Sequence, residues 1–510
     1  MLSVPGPARV TACGALSWAF VLIVAGSATT SGQGQDSPVL TAAKAKDAAA
    51  VRGLIEKRVD VNGPAGDGAT ALHWAVYHDD LEMVDLLLGA GARADVANDL
   101  GITPLSLASV NGNAAIAARL LAKGGKADAA SETGVTPLME AARSGSIELV
   151  RTLLARGADV NASERDRGQT ALMWAVSERH PQVVAVLLEG KANVHAKTRV
   201  RPLRVMLDQG PRRSVKTSVQ DARQIDAGGS TALLFAAQAG DAESASLLVR
   251  AGASVNDTAA DGNSALVLAT FAGHPDVARV LIDAGADPDA AGAGYSALHA
   301  AALRGDLATV KALVAKGANP NPLLTKGSPV RRFGSQWALP TPFTGATPLL
   351  VAATYVEVEI VRALLAAGAR PSIALPNGLT PLHAAAGVPV EKETRPSDLV
   401  RWNVVDSDTP TIPRAEPDVV ELTRLLLDAG ADVNQATGAG DTALHGAAAA
   451  GMTMVIQLLA ERGASLEALN QAGQTPLSLT IPRRAQEGRP APPGGSKAAE
   501  DLLRKLGATK

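Results

Sequence analysis

One short phrase returns along almost the whole chain and constrains what the chain can fold into more than any other feature. It first reads Thr70-Ala71-Leu72-His73, then Thr103-Pro104-Leu105, Thr136-Pro137-Leu138, Thr170-Ala171-Leu172 and Thr231-Ala232-Leu233. It continues at Ser264, Ser296, Thr347, Thr380, Thr442 and Thr475. Successive starts lie 33, 33, 34, 61, 33, 32, 51, 33, 62 and 33 residues apart. A fixed period of this length means one supersecondary unit repeated, so the chain is an array and not a set of unrelated domains.

The third copy, from Gly134 to Arg167, shows what the unit must be. Thr136-Pro137 is a helix start, since proline at the first helical position gives up an N–H that has no partner there. Leu138, Ala141 and Ala142 give a short helix with a small-residue face, broken by Ser144-Gly145. Ile147, Val150, Leu153 and Leu154 then form the apolar stripe of a second helix. Gly157 stands where that helix must end left-handed, and Ala158-Asp159-Val160-Asn161 leads out to a polar turn. One such pair cannot bury its apolar side alone, and stacked neighbours bury it. Composition agrees: the chain is 46% hydrophobic and only 3% aromatic, so Ala and Leu must carry close helix packing.

These residues closely resemble the ankyrin repeat, whose signature is T-P-L-H at a period near 33. The resemblance covers about residues 36–510 and implies an all-α curved solenoid of about twelve helix pairs, caps included, joined by hairpin loops. His73, His299, His383 and His445 keep the fourth place of the phrase. The resemblance assigns them a structural role, each imidazole bridging groups of neighbouring repeats. It also implies that hairpin tips and the open side of each first helix line a partner-binding groove. Mapped copy by copy, that groove takes in Tyr77, His78, Val110, Asn111, Arg143, Ser144, Ser177 and Glu178. Further along it takes in Gln238, Phe271, Leu303, Arg304 and Tyr355.

Glycine recurs where second helices end, at Gly91, Gly124, Gly157, Gly252, Gly285, Gly317, Gly368, Gly430 and Gly463. The fourth copy has Lys191 instead, which predicts a different helix ending and local irregularity there, because a left-handed non-glycine residue costs roughly 1–2 kcal/mol. Three gaps hold insertions. Residues 200–228 carry Arg201, Arg204, Arg212, Arg213 and Lys216; residues 324–344 carry Arg331-Arg332-Phe333 and Trp337; residues 388–416 carry Trp402 inside a copy. The first is read as a solvated basic loop, with attraction of an anionic partner as the alternative. The two tryptophans either pin their insertions to the array or anchor a partner. Around these lie an N-terminal cap at 36–66 with a polar helix from Lys44 to Lys57, and repeats at 67–199, 229–323 and 345–472. A C-terminal cap at 473–510 closes with a helix from Ala498 to Leu506.

The start of the chain reads as an export signal, residues 1–28. Arg9 is followed by an apolar run from about Ala12 to Ala25 and by the small residues Gly26-Ser27-Ala28. Residues 29–35 form a flexible tether. Cys13 superficially resembles a lipid-acceptor site after Val10-Thr11-Ala12, but the apolar core follows it where such a site requires the core to precede. Cleavage near Ala28 would remove Cys13, the only cysteine, so the mature chain could form no disulfide. The periplasm is the expected location, with secretion or an N-terminal membrane anchor as alternatives.

Lys and Arg number 48 against 50 Asp and Glu, a balance that argues against nucleic acid or acidic lipid as general partners. No metal-ligand, Walker-type or nucleophile-elbow motif is present, and glycine strings such as Gly292-Ala293-Gly294 match hairpin tips. The expectation is therefore a monomeric, non-catalytic interaction scaffold with no cofactor and no metal, binding one or more proteins. A secreted or surface-attached effector that meets host proteins is the alternative, and an enzyme built into the insertions is the third reading.

Overall fold

The computed structural model describes residues 36–207, 222–327, 329–330, 343–389, 415–480 and 496–509. The signal segment and tether expected at 1–35 lie outside the described residues. So do Arg212, Arg213, Lys216, Arg331, Arg332, Phe333, Trp337, Trp402 and most of the third insertion.

Two compact units divide the chain, one ending at Glu132 and the other beginning at Thr133. The first holds three helix pairs: α1 (Pro38–Lys44) with α2 (Ala48–Glu56), α3 (Ala71–Tyr77) with α4 (Leu81–Gly89), and α5 (Pro104–Val110) with α6 (Ala114–Ala122). The second holds nine among its described residues. They are α7 (Pro137–Ser144) with α8 (Ile147–Ala155), α9 (Ala171–Ser177) with α10 (Pro181–Glu189), and α11 (Ala232–Ala239) with α12 (Ala242–Arg250). Next come α13 (Ala265–Ala272) with α14 (Pro275–Asp283), α15 (Ala297–Arg304) with α16 (Leu307–Ala315), and α17 (Pro348–Thr354) with α18 (Val358–Ala366). The last are α19 (Pro381–Ala385) with α20 (Glu416–Asp428), α21 (Ala443–Ala450) with α22 (Thr453–Glu461), and α23 (Pro476–Leu479) with α24 (Lys497–Leu506). Within each unit the first helices stack on first helices and the second on second helices, which makes two parallel rows.

The phrase builds each first helix from its start. Thr136 is extended and its hydroxyl accepts the Met139 N–H, which satisfies one of the free donors of α7, with Pro137 at the first position. The leucine of the phrase is at most 2% exposed in every copy, from Leu72 to Leu477. Second helices start on a different cap: the carboxylates of Asp47, Asp80, Asp241 and Asp306 accept from Ala50, Met83, Ser244 and Thr309. Asparagines stitch the hairpins together, as where Asn434 donates to Gly463 O at 2.9 Å and accepts from Ser465 N at 2.8 Å.

Three expectations are corrected. Lys191 does not end its helix differently: it takes φ +65°, and Lys191 N to Leu188 O (2.9 Å) with Ala192 N to Leu187 O (3.0 Å) repeats the ending at Gly157. The stack on both sides fixes the turn, and the chain bears the local strain. The first copy has no continuous helix from Lys44 to Lys57, because Lys46 turns left-handed (φ +59°) and Asp47 caps a new helix. It is a complete pair despite lacking the phrase, with Ser37 capping α1. The first insertion contains more than a loop: β1 (Arg201–Leu207) and β2 (Ala222–Ala227) pair antiparallel, and β3 (Pro329–Val330) from the second insertion joins β1 in a sheet of order β2-β1-β3.

Candidate functional site

The four phrase histidines are structural pins. The backbone N–H groups of Thr70, Ser296, Thr380 and Thr442 donate to their Nδ1 atoms at 3.0, 3.2, 3.2 and 3.1 Å. Nδ1 must then accept, which leaves the proton on Nε2. Nε2 donates to a carbonyl of the next repeat: Ile102, Ala346, Gln435 and Gln474 at 3.1, 3.0, 2.9 and 3.1 Å. Burial lowers the pKa of all four, and His299 is pushed down to about 4.

A second set of side chains reaches back from several helix-to-helix turns to cap the first helix of the previous repeat. In the smaller unit His78 Nε2 lies 3.3 Å from Lys44 O, and Asn111 donates to Val76 O at 2.9 Å. In the larger unit His180 Nε2 lies 3.1 Å from Arg143 O, and Arg304 donates to Phe271 O at 3.0 Å. Glycine leaves the room this needs. A Cβ on Gly145 would stand 2.8 Å from the His180 ring, and one on Gly240 would stand 2.5 Å from the His274 ring. Of the residues placed in the groove from sequence, His78, Asn111 and Arg304 thus hold repeats together. Arg143 is bound to Glu140 at 2.8 Å. The Glu140 carboxyl is raised by burial, against the pull of Arg143. Leu303 is a correction: it is 2% exposed and belongs to the core, an apolar side chain on a helix whose other residues from Ala297 to Ala302 are buried as well.

The remaining candidates keep open surface. Tyr77, Val110, Ser177, Glu178, Phe271 and Tyr355 are half-buried, and Ser144 and Gln238 are exposed. Sequence mapping missed the fifth place of the phrase, where Trp74, Trp174 and Phe235 are also half-buried. The signal was available in the scarcity of aromatics. Among the described residues Trp74, Tyr77, Trp174, Phe235, Phe271 and Tyr355 are the half-exposed aromatics, and all lie on first helices or on the residue that ends them. Tyr295 and Phe343 are buried just ahead of α15 and α17, and no second helix carries an aromatic. In the smaller unit the rings form a cluster, with Trp74 5.6 Å from Tyr77 and the Lys44 ammonium 5.3 Å from the Trp74 ring. In the larger unit Phe271 lies 5.5 Å from Tyr295.

Among the described residues no group of three or more His, Cys, Asp or Glu is placed to hold a metal. No helix among them is long and apolar enough to cross a membrane. The displaced titrations there belong to groups already in structural bonds, such as Tyr295, raised by burial and by Asp261 while its hydroxyl donates to Asn263.

Comparison with known proteins agrees with this geometry. The family model described as ankyrin repeats (3 copies) matches residues 12–98, 79–164, 205–292, 233–323 and 298–389. The single ankyrin repeat matches 167–199. The chain is 32% identical over 152 residues to neurogenic locus notch homolog protein 1 of Xenopus tropicalis, which takes in 29% of this chain and 6% of that protein. Against the Mus musculus protein of the same name it is 35% identical over 142 residues, 27% of this chain and 6% of that one. It is 45% identical over 62 residues to ankyrin repeat and LEM domain-containing protein 1 homolog of Caenorhabditis elegans, 12% of this chain and 9% of that protein. The chain thus spans less than a tenth of the curated relatives it matches.

Proposed function

The chain belongs to the ankyrin-repeat family, and from that premise we propose that it is a non-catalytic scaffold that binds a protein partner on the first-helix face of its larger unit. One observation carries the reading: within each unit the half-exposed aromatics of the described residues lie on first helices or on the residue that ends them, and the second helices have none. Aromatic side chains offer large contact area at low entropic cost and dominate binding energy where they cluster. Second helices instead carry aliphatics inward and repeat-to-repeat ion pairs outward, such as Arg151–Glu189 at 3.1 Å and Arg462–Asp428 at 2.7 Å. Exposed pairs of this kind contribute little stability and mark a solvated side.

The same reading places the protein outside the cytoplasm, in the periplasm or cell envelope. Support comes from Arg9, the apolar run after it and the small residues at 26–28. The test is chemical cross-linking in intact cells, followed by recovery of the protein from separated compartments. A reproducible partner is expected in the envelope fraction with the native chain, and several-fold less with Phe235→Ala and Phe271→Ala together. Equal recovery with the double variant would remove the face from the proposal. Recovery from the medium would move the protein to a secreted role.

A further inference from the structure

In a stack of repeats each unit touches only its neighbours, so stability is a sum of local terms and any stretch can open by itself. The first two of the three insertions in the larger unit, at 200–228 and 324–344, break that rule. The chain closes beneath the first one, where Gly229 N donates to Thr198 O at 3.1 Å and Thr198 N to Ser230 O at 3.0 Å. The repeats α9–α10 and α11–α12 are thereby continuous, and the insertion is an added element. Above that closure β1 and β2 pair from Arg201↔Ala227 to Met206↔Ala222. The far end of β1 then meets β3, with Met206 opposite Val330 and Leu207 opposite Pro329. β3 leaves the stack only after three more helix pairs, α11 to α16. Strands that lie far apart in sequence thus link the residues just before α11 to the segment leading into α17.

β2 also follows the hairpins of the pairs it passes. Gln224 and Asp226 face Asp261, Asn263, Tyr295 and Lys326 across a pocket of about 160 Å³. Those hairpins are tightly seated on one another. Ala260 N donates to Gly228 O at 2.9 Å, Thr325 N to Gly294 O at 2.9 Å, and the Tyr295 hydroxyl to Asn263 at 3.1 Å. A Cβ on Gly262 would stand 2.5 Å from the Gly292 backbone. The basic charge of the first insertion, read from sequence as solvated with an anionic partner as the alternative, is partly used within the chain, since Arg201 pairs with Asp166 at 3.2 Å.

We infer that the two insertions together form a brace that makes helices α11 to α16 one cooperative segment. A closed loop ties the first of these repeats to the end of the last, so none opens without breaking the sheet or carrying its neighbours along. The brace also covers part of the hairpin side of these repeats, which leaves the face bearing Phe235 and Phe271 as the open one. Holding that face in a single shape reduces the ordering cost of binding. The brace itself does not depend on what the face binds.

Native-state hydrogen exchange on the full chain tests it, with two variants. Excision of residues 201–227 removes β1 and β2 and returns the Thr170-to-Thr231 spacing to about one repeat. Val330→Pro removes one backbone donor from β3 and leaves the β1–β2 hairpin in place. The expected result is exchange in α11 to α16 faster by at least ~tenfold on excision and by ~threefold in Val330→Pro, with α7 to α10 unchanged. Unchanged exchange in α11 to α16 in either variant would overturn the inference. So would acceleration spread evenly over α1 to α10, which would report general destabilisation.

Discussion

At the scale of single residues, histidine sets how this protein responds to acid. His299 is fully buried, accepts at Nδ1 and donates at Nε2, so a second proton would have to displace a backbone donor. Its pKa falls from 6.5 to about 4 in the fold, chiefly through burial. Above pH 6.5 the folded and unfolded chains are both neutral here and nothing is lost. Below it the unfolded chain takes up a proton that the fold refuses, so stability drops as pH falls toward 4, by roughly 3 kcal/mol for this group. His73, His383 and His445 act in the same direction. His299→Met, the residue that copies three and four carry at this place, should cost about 1 kcal/mol at pH 7.5 and flatten the decline toward pH 5. Urea midpoints at the two pH values check it, and parallel declines in both proteins would contradict it. The histidine positions were legible because the phrase repeats. The turn residues were not, since His78, Asn111 and Arg304 spend their polar atoms on carbonyls about one repeat away, and no local pattern reports a contact at that separation.

Helices were the most legible elements because nearly every one is bracketed by residues with a mechanical reason to be there. Thr or Ser opens each first helix from α3 onward, and most second helices end at a left-handed glycine, with φ between +83° and +95° at the nine positions named from sequence. Lys191 marks where this reasoning stopped short. The sequence showed the strain but not that packing on both sides would impose the same turn. Lys191→Gly should therefore stabilise the larger unit by about 1 kcal/mol, read as a higher thermal midpoint. Gly240→Ala should do the opposite and cost about 2 kcal/mol or more. That residue sits at φ +76°, with the His274 ring where a Cβ would go. The strands were hidden for the opposite reason. Pro202 interrupts the run of β1, and its second partner, β3, belongs to a different insertion. Strand pairing over such a distance leaves no periodic trace.

On the scale of the whole molecule, the array was clear from eleven copies of one phrase, and the face proposed for its partner rests on how the two helix rows differ. The groove mapped from sequence and the half-exposed aromatics share the first helices but differ in position along them. Counting along the repeat selected the eighth and ninth positions, which include the buried Leu303 and the capping Arg304, and passed over Trp174 and Phe235 at the fifth. A half-exposed tryptophan among alanines reads as core until burial is measured. One asymmetry carries the proposal: half-exposed aromatics lie on first helices, whereas second helices have none and present ion pairs to solvent. Site-specific photo-cross-linking in cells tests it most directly, with the reactive group placed at Gln238 or Phe271 on one side and at Arg279 or Glu359 on the other. Covalent adducts to the same protein from the first two positions and none from the second two are predicted. Adducts from Arg279 or Glu359 with none from Gln238 or Phe271 would contradict it.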